Sequence, residues 1–425
     1  MTADKPSHLV PNLRFPEFRD ASEWEPRTLG QIGEFIGGGT PSTAIPEYWG
    51  GDIQWFTPSE VNKRYLSKSI RTITGEGLKH SSARLLPAGA LLITTRATIG
   101  DVGIVDSACA TNQGFQSLVV FGHEVNLFWY YWFVKHKAEL IKRSSGSTFL
   151  EIGKAELKQI PTVRPNKGEQ QKIANCLGSL DELITAEERK LEALRQHKQG
   201  LMQQLFPRPG ETVPRLRFPE FRDSSGWKTG RCRDIANVLP GYGFPDRFQG
   251  NKMGQFPFYK VSDISRTIEE RKNVISEARN YIESDVLDEI RGKPVPAGTI
   301  IFAKIGEAIR SNRRVITTKP AVIDNNTAGV KAIEIKCSDE FLFYLWSNVS
   351  LIDHAGGVVP AVSKSALENV PLCYPNDPEE QHRIADCLGP LDDLIEAEGR
   401  MLDVLRHYKQ GLMQQLFPSP EAEPR

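Results

Sequence analysis

EQQKIANCLGSLDELITAEERKLEALRQHKQGLMQQLFPRP, residues 169–209, returns as EQHRIADCLGPLDDLIEAEGRMLDVLRHYKQGLMQQLFPSP, residues 380–420, with 28 of 41 positions identical. Apolar residues recur in both copies at alternating spacings of three and four, the pattern of a helix that packs along one seam. The seam positions a and d are Leu177, Leu180, Ile184, Glu187, Leu191, Leu194, Lys198, Leu201 and Leu205. In the second copy they are Leu388, Leu391, Ile395, Glu398, Leu402, Leu405, Lys409, Leu412 and Leu416. Each seam carries one acidic and one basic break, and an unpaired charge there is unfavourable. Antiparallel packing resolves this by setting Glu187 against Lys409 and Lys198 against Glu398, with every other layer apolar. The capping box Ser179 with Glu182, and Pro207 after the last turn, predict a long helix over roughly 180–206, a rod of about 40 Å. Gly178 and the Gly389-Pro390 pair should break off a short preceding helix that begins near Glu169 or Glu380. The c positions outside the seam are mostly small: Ser179, Ala186, Ala193 and Gly200, then Pro390, Ala397, Val404 and Gly411.

The duplication extends beyond the helices. LVPNLRFPEFRD, ending at Asp20, returns as TVPRLRFPEFRD, ending at Asp223, and Trp24 and Trp227 keep the same offset. Between arm and helix the copies diverge but share a skeleton. Leu86-Pro87-Ala88-Gly89 before the apolar run Ala90–Thr95 matches Val295-Pro296-Ala297-Gly298 before Thr299–Ala303, a turn that launches a buried strand. Ile99-Gly100 answers Ile305-Gly306, and the aromatic stretch Leu127–Ile141 answers Phe341–Ile352. Ile152-x-Lys154-x-x-Leu157-x-x-Ile160-Pro161 answers Val362-x-Lys364-x-x-Leu367-x-x-Val370-Pro371. The expected architecture is α+β: two mixed domains joined by two long helices in an antiparallel coiled coil, a pseudo-twofold duplication. The expected segments are 1–165, a domain with its arm; 166–208, helical; 209–376, the second domain with its arm; and 377–425, helical.

With 425 residues, 39% hydrophobic and 25% charged, the chain is expected to be globular and multi-domain. It contains no run of eighteen apolar residues and no apolar leader after Met1, so the expectation is a cytoplasmic protein without a membrane partner. Six scattered cysteines lack a Cys-x-x-Cys pair and the eight histidines do not cluster, which predicts neither disulfides nor zinc. Phosphate-loop, dinucleotide-binding, amino-methyltransferase and nucleophile-elbow signatures are all missing, so no catalytic residue and no cofactor is assigned to this chain. Gly37-Gly38-Gly39 lacks the lysine and helix of a phosphate loop and reads as a turn. The 53 basic and 53 acidic residues are unevenly spread. Residues 1–165 carry 18 basic and 16 acidic side chains, 212–378 carry 23 and 20, and 379–425 carry 5 and 10.

Two copies that agree in their helices and differ in their globular parts imply one shared attachment task and two recognition tasks. The LRFPEF arm, the Gly38–Ser42 Gly-x-Thr-Pro-Ser turn, the Pro-Ala-Gly strand entry, the Gly146–Thr148 Gly-Ser-Thr loop and the Glu-Gln-opened helix resemble, as an ordered double set, those of type I restriction-modification specificity subunits. The resemblance covers essentially the whole chain. It implies a non-catalytic host-defence subunit whose two target-recognition domains each read one half of a bipartite, asymmetric double-stranded DNA site. It also implies that the helices dock two modification (methyltransferase) subunits, with restriction subunits, the ATP-dependent translocase and nuclease, joining through the complex. The second domain departs from the pattern, with Gly241-Tyr242-Gly243-Phe244-Pro245 and Gly356-Gly357-Val358-Val359 at the turn and loop. A two-headed protein-interaction scaffold with a helical spacer is the alternative.

Phosphates are held by Arg, Lys, hydroxyls and backbone N–H groups, and base edges are read by Arg, Asn and Gln. The DNA-contact candidates are therefore Lys63, Arg64, Arg96, Asn112, Gln113, Arg143, Ser145, Ser147 and Thr148 in the first domain. In the second they are Lys304, Arg310, Asn312, Arg313, Arg314, Asn325 and Asn326. Each also reads as an ordinary solvated side chain. Arg310 to Arg314 stands out because three guanidinium groups within five residues repel one another without an anion. The aromatic residues of the two apolar stretches read as core rather than as base-stacking platforms. On the helices, Ala186, Ala193, Gly200, Ala397, Val404 and Gly411 form a candidate partner face, since glycine inside a helix costs about 1 kcal/mol relative to alanine and both copies keep one there. Merely tolerated small residues are the other reading.

Overall fold

A computed structural model describes residues 9–96, 98–145 and 150–418. The chain forms two compact units, one comprising Met1–Ala186 with Asp403–Arg425 and the other Glu187–Leu402. The units repeat one topology. Among the described residues the first holds a five-stranded sheet in the order Gly33–Gly37, Gln116–Val120, Leu91–Ile93, Val102–Val105, Tyr65–Leu66. A three-stranded sheet runs Arg71–Ile73, Trp49–Phe56, Cys109–Thr111, and Glu25–Thr28 pairs with Pro161–Arg164. The second unit has the same three sheets: Ala236–Pro240, Thr327–Ala332, Ile300–Ala303, Arg314–Thr317, Val274–Ile275; then Asn280–Ile282, Phe256–Tyr259, Val322–Ile323; then Lys228–Arg231 with Pro371–Tyr374.

The Pro-Ala-Gly turns act as the sequence predicts. Gly89 (φ +82°) and Gly298 (φ +77°) occupy the left-handed region that glycine tolerates, and each donates its N–H into the sheet, to Val105 and Thr317 at 2.8 and 2.7 Å. The strands that follow, Leu91–Ile93 and Ile300–Ala303, are buried throughout. The aromatic stretches form helices Asn126–Lys142 and Asp339–Ser347, whose Phe128, Trp129, Tyr131, Trp132, Phe343, Tyr344 and Trp346 are all buried in their unit's core. They hold the fold together and offer no base-stacking face.

Each long helix is continuous for 39 residues, Lys167–Leu205 and Pro378–Leu416. The expected break is absent. Pro390 sits inside its helix, where it removes one backbone hydrogen bond, but Ile384, Ala385 and Leu388 just before it are anchored in the core of the second unit. Ile173, Ala174 and Leu177 anchor the first helix likewise. The helices pair antiparallel within each unit, Leu177 sharing a cluster with Met413 and Leu416, and Leu201 sharing one with Ile384 and Leu388. The ion pairs on this seam differ from expectation. Lys409 meets Asp181 and Lys198 meets Asp392, each aspartate lying six residues before the expected glutamate. Lys190 takes Glu398 at 2.6 Å and lies 3.7 Å from Glu187. Burial explains the choice. Each aspartate also accepts the hydroxyl of a core tyrosine, Tyr131 at 2.6 Å and Tyr344 at 2.8 Å, and each lysine lies 5.3 Å from that tyrosine's ring centre. One Tyr-Asp-Lys set thus bolts each aromatic helix to its helix pair.

The arms lock against the helix ends. Leu13 N–H donates to the Gln415 carbonyl at 3.0 Å, and Leu216 N–H to that of Gln204 at 2.9 Å. Arg14 clasps Glu169 and also donates to the carbonyls of Ala21 and Ser22; Arg217 does the same with Glu380 and the carbonyls of Ser224 and Ser225. The next residue caps the aromatic helix: Gln170 accepts from Val125 N–H at 2.9 Å, and Gln381 from Ser338 N–H at 3.3 Å.

Candidate nucleic-acid interface

In the first unit four loops are laced side by side by backbone hydrogen bonds. Gly39 N–H reaches Thr111 O at 2.8 Å, Thr95 N–H reaches Gly114 O at 2.8 Å, and Ile152 N–H reaches Thr95 O at 3.3 Å. The hairpin Ser145 to Glu151 is closed by two bonds of 2.9 Å. The row thus runs from the Gly-Thr-Pro-Ser turn, through the turn Thr111–Gly114, to the loop at Arg96 and the hairpin. Contact between the first two is close, since a Cβ on Gly38 would lie 2.0 Å from Asn112 O. Thr40 Oγ1 donates to Gln113 Oε1 at 2.7 Å across that join.

The second unit builds the same row from different residues. Tyr242 N–H reaches Ile323 O at 2.8 Å, Lys304 N–H reaches Asn326 O at 2.8 Å, and Val362 N–H reaches Lys304 O at 2.9 Å. Gly356 and Ala361 close the hairpin with bonds of 3.0 and 3.1 Å. Gly241 repeats the close approach, 1.8 Å from Cβ to Asp324 O.

These rows bring together Arg96, Asn112, Gln113 and Ser145 in one unit and Lys304, Asn325 and Asn326 in the other. Gln113, Asn325 and Asn326 are exposed, whereas the Asn112 side chain turns inward to accept Gly114 N–H at 2.9 Å. Arg96 pairs with Glu151 at 2.9 Å, so the first row presents hydrogen-bonding groups rather than dense positive charge. Arg143 flanks the hairpin, paired with Glu139 and Glu156 at 3.0 and 3.4 Å. Lys63 is exposed in the loop before Tyr65–Leu66. Ser147 and Thr148 lie outside the described residues.

Three candidates belong to the scaffold instead. Arg64 points to the long helix, bonding Tyr131 at 2.9 Å and Gly178 O and Asp181 at 3.3 Å. Asn312 adopts the left-handed conformation (φ 51°) and ties Val349 O, Leu351 N–H and Arg314 together. Arg314 is only 5% exposed and donates to the carbonyls of Ser347 and Val349; burial pushes its pKa down to about 9. The crowding argument for Arg310–Arg314 therefore fails, because the three guanidinium groups diverge: Arg310 pairs with Glu307 at 2.9 Å and Arg313 with Glu269 at 3.4 Å. Residues the sequence reading passed over are Thr40 in the row, and Arg14, Arg217, Glu169, Glu380, Asp181 and Asp392 in the framework. All but Thr40 are repeated identically in both copies, which was the available signal.

Two like-built units, each carrying a row of loops joined by backbone hydrogen bonds, define a duplicated protein with two equivalent candidate sites. A family model described as the type I restriction modification DNA specificity domain matches residues 21–196 and again 224–407. The chain is 31% identical over 410 residues to the MjaIX specificity subunit of Methanocaldococcus jannaschii, covering 93% of this chain and 92% of that one. It is 29% identical over 205 residues to the EcoR124I/EcoR124II specificity subunit of Escherichia coli, covering 45% and 50%. Its fold is similar to that of the S subunit of a type I system from M. genitalium, with a TM-score of 0.61 at 15% identity over 97% of this chain and all of that one. A chain from a study of type I complex assembly and conformational transition gives a TM-score of 0.58 at 14% identity, over 93% and 97%. The protein belongs to the type I restriction-modification specificity subunits. It is a DNA-specificity component with two specificity domains and not a catalytic one. Among the described residues no helix is long and apolar enough to cross a membrane.

Proposed function

We propose that each head reads one half of a bipartite, asymmetric double-stranded DNA site through its row of loops. Residues 1–165 and 209–376 serve as the recognition domains, and 166–208 and 377–425 as the helical regions that dock two modification subunits, with the restriction subunits joining through the complex. The carrying observation is that one hydrogen-bonded row is built twice on one sheet order from different side chains, as two readers of different half-sites require. Gln113, Ser145, Asn325 and Asn326 then supply hydrogen bonds to base edges or phosphates, with Asn112 shaping the turn that carries Gln113; Arg96, Lys63, Arg143, Lys304, Arg310 and Arg313 supply charge. The docking role is supported by exposure: Ala186, Ala193, Ala397 and Val404 face outward, and a Cβ on Gly200 or Gly411 would meet nothing within 4 Å.

Exchange of residues 25–165 for those of a relative tests the reading. The methylated motif is expected to change in one half and stay the same in the other; a change in both halves overturns the division of labour. Gly200→Leu with Gly411→Leu tests the helices. Assembly with the modification subunits is expected to fail while the isolated chain stays folded, and normal assembly removes the docking face.

A further inference from the structure

Val358 and Val359 stand at the tip of the second unit's hairpin, 104% and 62% exposed. The tip is braced. Gly356 and Ala361 close it with two backbone bonds, Gly306 N–H holds Pro360 O at 2.8 Å, and Gly357 makes the bend at φ +90°. Ile305, 37% exposed, bridges to Ala361 at the hairpin's base, beside Lys304. Single exposed apolar side chains are common on soluble proteins, but two valines on a braced projection, with a half-exposed isoleucine at its base next to a lysine and the Asn325-Asn326 turn, form an apolar point within a polar row. The first copy has Gly146-Ser147-Thr148-Phe149 in the corresponding stretch of sequence, so the valine pair is particular to the second copy.

Resting on the DNA-reading role above, we propose that Val358 and Val359 contact the C5-methyl group of a thymine in the major groove of the half-site read by the second head. The chemistry selects this partner. Base edges display donors and acceptors, and thymine alone adds a methyl group, which is read by apolar contact. A hairpin of this kind fits a major groove about 12 Å wide. Size excludes a wedge between base pairs. Valine ends one carbon beyond Cβ, too short to part steps stacked about 3.4 Å apart as Phe, Leu, Ile or Met wedges do.

The test uses the full chain assembled with its modification subunits. Selection from a random duplex pool gives the motif, and the domain exchange described above tells which half belongs to the second head. That half is then remade with deoxyuridine replacing each thymidine in turn, which removes only the methyl group. Wild type is expected to bind one such duplex about three- to five-fold more weakly, the worth of one buried methyl. Val358→Ser with Val359→Ser is expected to lose that sensitivity and to relax the selected base at the same position. Equal binding of wild type to every deoxyuridine duplex overturns the proposal, as does a half-site without A·T pairs or a variant that keeps the full penalty. A variant that loses subunit assembly while selecting an unchanged motif assigns the tip to a protein contact instead. Failure of wild type to select any two-part motif removes the DNA-reading role itself, a distinct result that takes the tip's role with it.

Discussion

Arg217 grips Glu380 fork to fork, Nε to Oε1 at 2.7 Å and Nη2 to Oε2 at 2.8 Å, and both side chains are almost wholly buried. Trp227 Nε1 adds a third donor to the same carboxylate at 3.0 Å. Removing one member strands the other's charge away from water. Arg217→Ala or Glu380→Ala is expected to lower the stability of the second unit by about 3–5 kcal/mol, measured by denaturant unfolding. Arg217→Met combined with Glu380→Leu is expected to recover part of that loss.

Arg314 and Arg310 separate by role. Arg314→Ala removes a donor from the Ser347 carbonyl and one of the two donors to the Val349 carbonyl and to Asn312 Oδ1, at an expected cost of roughly 1–3 kcal/mol in stability. Arg310, exposed and paired with Glu307 on its own turn, is expected to leave stability within about 0.5 kcal/mol when changed to alanine. If it lies on a phosphate, Arg310→Ala reduces the salt slope of DNA binding by about one. An unchanged slope takes Arg310 out of the interface.

Gly38→Ala places a methyl group 2.0 Å from Asn112 O and 2.3 Å from Thr111 Oγ1. The turn Gly38–Ser42 must then lift off the turn that carries Gln113. Binding through the first half-site is expected to fall about ten-fold, equivalent to ~1.4 kcal/mol, while circular dichroism of the full chain is unchanged.

His136 is stacked on Trp132 with ring centres 4.1 Å apart, and its Nδ1 donates to the Trp132 carbonyl at 2.8 Å. Burial holds its pKa below the ordinary histidine value. The unfolded chain therefore takes up a proton near pH 6.5 that the folded chain refuses, and stability falls as pH drops below that point. Thermal melting of the full chain is expected to show this loss between pH 6.5 and 5, and His136→Phe is expected to flatten it.

The architecture was legible because it is written twice: arm, turn-launched strand, aromatic helix and seam helix recur in order. The helix break was misread because a rule about Gly389-Pro390 is local, whereas Ile384 and Leu388 hold the preceding turns in a core that sequence does not display. The seam pairs were misread for a related reason. Heptad position shows that Lys409 needs an anion, but only the fold shows that Tyr131 already fixes Asp181 beside it. The candidate interface was half legible. Gln113 and Asn325 follow buried strands at matching places in both copies, whereas Arg314 looks the same in sequence whether it serves a phosphate or two carbonyls.

The two units close differently along the chain. Residues Glu187–Leu402 are contiguous, so one head has all its parts once they have left the ribosome. The other head needs Met413, Leu416 and Phe417 for its core and the Gln415 carbonyl for Leu13. Its first 186 residues must wait for partners synthesised more than two hundred residues later, roughly 10–40 s at about 5–20 residues per second. The head made first is thus completed last. During that interval the faces of Ile173, Leu177 and Phe128 that Met413, Leu416 and Phe417 will cover are open, a window in which a nascent-chain chaperone has its natural target.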